Sequence, residues 1–264
     1  MSDTEPGLWT QQLVDLVDDA VVKQSLVEYQ QILDVYDQKY GFYSIACLLA
    51  KYHLLSQVIE IGTYLLDSGN SRYLELIDRA RRLVQDHYDS TRRAPQGATS
   101  YAPVQRVSTP AGEQIFYPAD AYDRHLTSDP CVQDQVREID STWIDAIVPR
   151  QFYIYAIDAD MVPVVYGQSM GLTGLLGTEN GLTTPSGAIA HPVLVRRRGL
   201  SVYGAGEIMF TKTVDGALAG AIVNNKSGHF RPRANSLAIV TDAVSNGLEI
   251  DADLVVPIAV ERTS

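Results

Sequence analysis

The chain has 264 residues, of which 45% are hydrophobic and 20% are charged, and this balance excludes a disordered or fibrous protein. Its formal net charge of −11 argues against nucleic acid as a partner, because a nucleic-acid backbone is bound by basic surfaces. No apolar run reaches the roughly 18 residues that a membrane span needs, and residues 1–6 lack the pattern of a signal peptide. We therefore expect an acidic, soluble, cytoplasmic protein that has no membrane segment.

Residues 8–90 carry apolar side chains at the three- and four-residue spacing of amphipathic helices. The pattern predicts a first helix that ends at Gly41, a second helix over about residues 43–66 and a third over about residues 72–87. These helices show no internal repeat, so they predict a small helical bundle rather than a solenoid. We assign residues 1–90 to this helical domain.

The composition changes after the helical domain. Residues 91–112 consist mainly of Ser, Thr, Pro, Gly and Ala, which is typical of a linker or a long loop. From Glu113 onward, short strand-like runs alternate with helix signals, so residues 113–264 are predicted to form a second domain. The predicted fold class is therefore α+β, with a helical bundle followed by a mostly antiparallel sheet and flanking helices.

Local signals place the elements of the second domain. A helix is predicted to begin at Ser128-Asp129-Pro130 and to continue to Trp143, because a capping residue precedes a proline in the first turn. Residues 208–211 and 218–223 are predicted to pair antiparallel across a turn at Val214-Asp215-Gly216. The strands 152–157 and 162–166 flank Asp158-Ala159-Asp160, which predicts a hairpin. The other predicted elements are the strands 114–117, 192–195 and 254–260 and the helix 234–245.

Four stretches of the second domain occur in the order of a known module. They are Phe-Tyr-Ile-Tyr-Ala-Ile-Asp-Ala-Asp (152–160), His-Pro-Val-Leu-Val (191–195), Gly-Ala-Gly-Glu-Ile (204–208) and Asn-Lys-Ser-Gly-His-Phe-Arg-Pro (225–232). With the helix that follows, about residues 150–256 resemble the module of the plant IQ-motif calmodulin-binding proteins and their bacterial and fungal relatives, whose signature ends in Ser-Gly-His-Tyr-x-Pro. This chain has Phe230 in place of the tyrosine and has no IQ-type helix, so the resemblance does not imply calmodulin binding.

The residue types around the fourth stretch predict a functional site. An imidazole gains or loses a proton near pH 7, so we expect His229 to act as an acid or base. Glu207, on the neighbouring predicted strand, would orient His229 or serve as a second acid or base. Because arginine suits carboxylates and phosphates, the expected ligand is a small anion. The predicted ligand-binding residues are Asn225, Lys226, Ser227, Arg231 and His191.

Three alternatives stay open. In the first, Ser227 and His229 only satisfy backbone groups of a turn, since buried polar groups are normally paired, and Glu207 faces solvent. In the second, Cys131 lies in the first turn of a helix, where a thiol pKa is lowered, and acts with His229 as a thiol hydrolase or acyltransferase. In the third, the helical domain binds a protein partner and the second domain is a rigid scaffold.

Metal and cofactor binding have little support in the sequence. Cys47 and Cys131 are the only cysteines, and they are too far apart in sequence for a disulfide framework or a zinc motif. The histidines show no metal-ligand spacing, so we predict no metal site. The sequence indicates no particular cofactor.

Overall fold

The computed structural model describes residue 14 and residues 20–67, 72–91, 102–126, 133–170, 182–184 and 187–260. Within these ranges the fold is α+β, as predicted, with helices first and a mostly antiparallel sheet with flanking helices after them. The chain divides into two compact units, residues 1–92 and residues 93–264. We name them the helical unit and the α+β unit.

The described part of the helical unit contains α1 (Ala20–Tyr40), α2 (Ile45–Asp67) and α3 (Tyr73–Ser90). The predicted helix end at Gly41 is confirmed, and its φ of 87° is the left-handed conformation that glycine adopts without steric cost. α2 packs against both other helices, which makes it the core of the unit. Apart from Val14, the residues before Ala20 that were predicted to be helical lie outside the described residues.

α2 owes its burial to an amphipathic neighbour. Within the described part of the chain, Ile45–Thr63 is the one stretch long and apolar enough to cross a membrane, and 72% of it is buried inside the protein. The apolar residues of α3 recur at helical spacing, and the side of α3 that they form covers part of this stretch. The buried residues of α3 are Tyr73, Leu76, Ile77, Ala80, Leu83, Val84 and His87. Such burial is typical of the core helix of a soluble domain.

The α+β unit is built on a six-stranded sheet. In chain order its elements are β1 (Gln105–Thr109), β2 (Gly112–Phe116), α4 (Ala119–His125), β3 (Val136–Glu138), β4 (Phe152–Ile157), β5 (Pro163–Tyr166), β6 (Leu182–Thr184), β7 (Gly187–Ile189), α5 (His191–Leu194), β8 (Ser201–Val202), β9 (Gly204–Lys212), β10 (Leu218–Asn224), α6 (Ser236–Leu248) and β11 (Val255–Ile258). The strand order of the large sheet is β11-β10-β9-β4-β5-β3. All of its neighbours are antiparallel except β10 and β11.

Two predicted strand pairs are confirmed at the level of register. β9 and β10 pair antiparallel, with Ile208 opposite Val223 and Thr211 opposite Gly220. β4 and β5 form the predicted hairpin around Asp158. Both pairs consist of strands buried along nearly their whole length, so their apolar runs were visible in the sequence.

The predicted linker contributes a strand. β1 lies inside residues 91–112 and pairs with β2, and β2 also pairs with β8. Gly112, with a φ of 137°, closes the tight turn between β1 and β2. The assignment of the whole segment to a linker is therefore wrong for residues 105–109. The strand was missed because its side chains are polar and largely exposed, which leaves no apolar alternation to detect.

Two further predicted elements have the wrong type. The start of the predicted helix, residues 128–132, lies outside the described residues, but its later part is strand β3 followed by a 3-10 helix, Ser141–Ala146. Asp140 caps this 3-10 helix by accepting from the Thr142 and Trp143 amides. The apolar spacing was read as helical, but it belongs to an edge strand and a separate turn. The predicted strand 192–195 is helix α5 at residues 191–194, because Pro192 has no N–H to give to a ladder and fits a first helical turn.

The fold places the polar stretch at one end of the sheet. β10 runs between β9 and β11, and the chain leaves it at Asn224. Residues 225–232, which we name the polar loop, then lead towards α6. α6 packs on the sheet through Leu237, Val240 and Val244, which belong to the same buried core as Tyr155 and Val223. The polar loop is thus anchored at both ends by buried elements.

Candidate functional site

Asn225 connects the two ends of the polar loop. Its Nδ2 donates to the carbonyl of Pro232 at 3.0 Å, and its Oδ1 accepts from the Val260 amide, just after β11, at 2.7 Å. The side chain is buried. Since both ends of the amide bind backbone groups, Asn225 has a structural part in holding the loop closed.

Ser227 has a similar part inside the loop. Its Oγ accepts from the Phe230 amide at 3.3 Å, and its carbonyl accepts from the Arg231 amide at 3.0 Å. Ser227 is fully buried. These contacts make a compact turn from Ser227 to Arg231, which favours the structural alternative for this serine over direct ligand contact.

Glu207, Asn224 and Lys226 form a network where β9 begins and β10 ends. Asn224 Nδ2 donates to Glu207 Oε2 at 3.0 Å, and Asn224 Oδ1 accepts from the Glu207 amide at 3.0 Å and from the Lys226 amide at 2.9 Å. The Lys226 ammonium donates to Glu207 Oε1 at 3.0 Å. Glu207 is 7% exposed, whereas 38% of the Lys226 side chain is exposed. The network therefore buries its anion and presents its cation to solvent.

Gly206 allows this network to form. A Cβ at that position would lie 1.8 Å from the Asn224 carbonyl oxygen, so a side chain would force the strands apart. Tyr155 on β4 donates to the same carbonyl at 2.9 Å. Burial, and then the nearby Glu207 carboxylate, raise the pKa of Tyr155. The Tyr155 hydroxyl thus stays protonated and acts as a donor rather than as a base.

His191 is tied to the same strand. Its Nε2 lies 2.9 Å from the Gly206 carbonyl, and because a carbonyl only accepts, Nε2 carries the hydrogen. The residue is buried at the start of α5. His191 was predicted to bind ligand, and the structure gives it a hydrogen bond to the sheet backbone beside Glu207.

His229 lies near the tip of the polar loop and is partly exposed. Its ring meets the Tyr117 ring edge-on with centroids 5.7 Å apart, and Tyr117 also packs against the buried Phe230 at 5.9 Å. The two oxygens of Glu207 are bound to Asn224 and Lys226. The Glu207 carboxylate is thus engaged by Asn224 and Lys226, and the expectation that it orients His229 stays a prediction.

Arg231 has the least compensated charge of the loop. Its φ is 50°, a left-handed conformation that residues with a Cβ rarely adopt. Its Nη2 donates to the carbonyl of Ala102 at 3.2 Å, whereas its Nε is buried and has no acceptor within the described part of the chain. No carboxylate in the described ranges pairs with it. The guanidinium therefore has hydrogen-bonding capacity that the described residues do not use.

The neighbouring arginines are paired differently. Arg106 forms an ion pair with Glu113, and its Nη2 also donates to the carbonyls of Phe230 and Arg231. Arg233 lies 3.2 Å from the same glutamate. Arg106 and Arg233 thus share one carboxylate, and Arg231 has none in the described ranges, which leaves an excess of positive charge around the end of the polar loop.

The predicted residues fall into two groups. Glu207 and Lys226 are brought together, and His229 and Arg231 lie two residues apart on one turn, whereas Asn225, Ser227 and His191 bind backbone groups.

Cys131 lies outside the described residues, so the Cys131–His229 hydrolase stays a prediction. Five further residues of the site were not predicted from the sequence: Asn224, Tyr155, Gly206, Tyr117 and Arg106. Asn224 and Gly206 adjoin predicted residues and were within reach, but Tyr117 and Arg106 meet the loop only through the fold.

Other possible centres do not coincide with the polar loop. An open cleft of about 350 Å³ lies by the edge strand β3, and Glu138, Thr142, Trp143 and Arg198 help to line it. None of the predicted site residues contributes to that cleft. No three His, Cys, Asp or Glu side chains of the described ranges come together as metal ligands would.

Comparisons with protein-family models, with curated proteins and with solved structures found no match to this chain. The resemblance of residues 150–256 to the IQ-motif protein module therefore stays a prediction.

Proposed function

We propose that the α+β unit binds a small anionic ligand at the polar loop, with the Arg231 guanidinium as the anion contact. The observation that carries this proposal is the buried Nε–H of Arg231, which has no acceptor among the described residues. A buried donor without an acceptor costs about 1–3 kcal/mol. A carboxylate or phosphate oxygen would remove that cost, and the planar guanidinium suits both groups.

The surrounding charges support an anion rather than a cation or a neutral ligand. Arg106 and Arg233 share Glu113, and Arg231 has no carboxylate partner in the described ranges. The left-handed backbone at Arg231 is the kind of strained conformation that functional sites retain. Ser227 holds that conformation by accepting from the Arg231 amide. The loop thus stabilises a costly arrangement in which a guanidinium N–H has no acceptor in the described ranges.

His229 and Lys226 extend the proposed site. His229 follows Ser227 and Gly228 on the same turn and is partly exposed, and the proposal gives its imidazole a hydrogen bond or a proton transfer with the ligand on Arg231. Lys226 supplies a second cation, and Glu207 and Asn224 hold it in place. In this proposal Glu207 positions Lys226 and does not itself exchange protons with the ligand. We also propose that the protein works in the cytoplasm, in keeping with its acidic composition.

The test uses thermal unfolding with inorganic phosphate, pyrophosphate, citrate and nucleoside phosphates. A ligand at 100 times its dissociation constant adds about 2.7 kcal/mol of stability. We expect at least one of these anions to raise the melting temperature of the wild type and to have no effect on Arg231→Gln. Arg150→Gln is the matched control, because Arg150 has the same residue type and a similar φ of 58°. It should keep the full response, and His229→Ala should weaken it.

Two outcomes would overturn the anion site. One is a wild type that responds to none of these anions. The other is an Arg231→Gln protein that responds as strongly as Arg150→Gln, which would mean that the anions bind elsewhere.

The second candidate function is protein binding by the helical unit. Large hydrophobic residues that are exposed in the described ranges concentrate there, with eight of eleven between residues 20 and 90. They are Val27, Ile32, Val35, Tyr36, Tyr40, Tyr43, Ile45 and Leu74. Clustered apolar exposure of this kind marks interaction surfaces more often than scattered single residues do.

A further inference from the structure

We infer that α1 pairs antiparallel with α1 of a second copy of this chain. The inference rests on the second proposed function, protein binding by the helical unit, and is independent of the Arg231 site. The proposed partner of the exposed face of α1 is thus a second copy of the same helix. The residues that identify the partner are Glu28, Ile32, Val35 and Lys39, which we name the α1 seam.

The α1 seam is one face of the helix, and it points away from the core of the helical unit. At 100° per residue, the four positions lie within about 60° of one another around the helix axis. Ile32 is 44% exposed and Val35 is 59% exposed. Leu26 and Leu33, which point to another side of the helix, are buried. Two β-branched apolar residues thus stand in water at the spacing of a helix–helix contact.

The charges of the seam are arranged symmetrically about its apolar centre. Glu28 is four residues before Ile32, and Lys39 is four residues after Val35. A twofold axis that sets Ile32 of one copy opposite Val35 of the other therefore also sets Glu28 opposite Lys39. The axis makes each of these contacts twice, as a closed twofold interface requires.

A parallel pairing has no such match, because it would set Glu28 against Glu28 and Lys39 against Lys39, which repel. Neither charge forms an ion pair in the described ranges: Glu28 accepts a hydrogen bond from Gln24, and Lys39 interacts with Tyr40 by a side-chain hydrogen bond and lies 4.9 Å from its ring centroid. Both charges are thus available to a second copy, in the antiparallel direction only.

Flanking aromatic residues widen the contact. Tyr36 lies beside the seam, about 40° from Ile32 around the helix axis. Tyr40 lies about 40° further round, with its ring centroid 5.7 Å from that of Tyr36, and is 50% exposed. Tyrosine is enriched in protein interfaces because it combines apolar area with a polar tip. With the seam they give α1 an apolar centre and charged ends.

The test measures the oligomeric state of the full chain by sedimentation equilibrium at protein concentrations of about 1 to 100 µM, the range in which a weak dimer associates. We expect a dimer for the wild type, and a dissociation constant at least about tenfold higher for Glu28→Lys and for Lys39→Glu, since each sets like charges opposite each other twice. An equimolar mixture of these two variants should form a heterodimer about as tight as wild type, because every facing pair is again opposite in charge. The control is Gln38→Glu, which adds a charge to the same helix outside the seam.

The outcomes separate the failure of this inference from the failure of protein binding itself. A wild type that stays monomeric at all concentrations, or a dimer that Glu28→Lys, Lys39→Glu and their mixture all leave unchanged, would overturn the α1 pairing. Protein binding by the helical unit is judged by a second measurement, the binding of a hydrophobic dye. The double variant Ile32→Asp, Val35→Asp is compared with the monomeric wild type. If the double variant binds as much dye as the wild type, the exposed face of α1 is not an interaction surface.

Discussion

Two lysines, one in each unit, differ in burial and in whether a carboxylate pairs with them. Lys51 on α2 is fully buried and has no carboxylate partner in the described ranges, with its ammonium 3.7 Å from the Phe42 ring centroid and 3.3 Å from His87 Nδ1. Lys226 is partly exposed and donates to the buried Glu207 at 3.0 Å. The helical unit therefore buries a cation against aromatic faces, whereas the α+β unit buries an anion and compensates it with a cation at the surface.

The burial of Lys51 without a carboxylate partner in the described ranges changes the pKa values of Lys51 and of its neighbour His87. Burial lowers the pKa of Lys51 from 10.5 to about 8, against the smaller opposing effects of Cys47, Asp86 and Asp37. Burial, and then Lys51, lower the pKa of His87 from 6.5 to about 4, so His87 is neutral at pH 7 and its Nδ1 accepts from the ammonium. Cation–π contact with Phe42 offsets only part of the desolvation of Lys51. A lysine here weakens the helical unit, and a lysine at position 226 stabilises the α+β unit.

The largest effect should come from breaking the compensated pair. Lys226→Met leaves Glu207 buried with only Asn224 as a partner, and we expect the α+β unit to lose about 3 kcal/mol, at the low end for a buried pair because Lys226 is partly exposed. Denaturant unfolding followed by Trp143 fluorescence, in a Trp9→Phe background that removes the other tryptophan, measures this loss. Lys212→Met is the control, a partly buried lysine on the same sheet, and it should cost less than about 0.5 kcal/mol. Equal losses in both variants would contradict the role assigned to Glu207.

The opposite sign is expected for the uncompensated lysine. Lys51→Met removes a buried charge and keeps a similar volume, so the helical unit should gain about 2 kcal/mol at pH 7. Hydrogen exchange of α2 peptides reports this gain separately from the α+β unit. Lys23→Met, at a partly exposed position on α1, should change protection little. Slower exchange is the expected result, and faster exchange in Lys51→Met would show that the ammonium is stabilising where it lies.

The pH dependence of the helical unit tests the same point with the wild type. The folded pKa of Lys51 lies below its unfolded value, so between pH 8 and 10.5 the unfolded state binds more protons and stability rises with pH. His87 has the same sign in the acid range: stability falls as pH drops from 6.5 towards 4, because the unfolded histidine takes up a proton first. Exchange rates of α2 corrected for intrinsic chemistry should follow both trends, and Lys51→Met should lose the alkaline one. An alkaline trend that persists in Lys51→Met would assign it to another group.

The smallest change in stability is expected on removing the Tyr155 hydroxyl in the α+β unit. Tyr155→Phe removes the donor to the buried Asn224 carbonyl and should cost about 1 kcal/mol in the same fluorescence assay. Tyr36→Phe, at an exposed position of the helical unit, should leave that transition unchanged. If Tyr155→Phe has no effect either, the Asn224 carbonyl is satisfied without the hydroxyl, and Glu207 and Lys226 alone hold the network.

Several parts of this protein could be predicted from the sequence because their signals are local. The helices α2 and α3 and the pairing of β9 with β10 follow from apolar periodicity, since each buries one continuous stripe or strand. The helix end at Gly41 follows from glycine's backbone freedom. β1 and the helix α5 were mispredicted, because a polar hairpin strand has no periodic signal and Pro192 is compatible with more than one local structure.

The sequence by itself determined the fold class and placed a lysine, a histidine and an arginine on one short loop after a strand. Only the tertiary structure decided what these groups do: Lys226 is paired with Glu207, and Arg231 lacks an acceptor for its buried Nε–H within the described ranges. The physical reason is that residue type sets which bonds a side chain is able to make. Partners distant in sequence, such as Ala102 and Arg106 beside the polar loop, decide which of those bonds remain for a ligand.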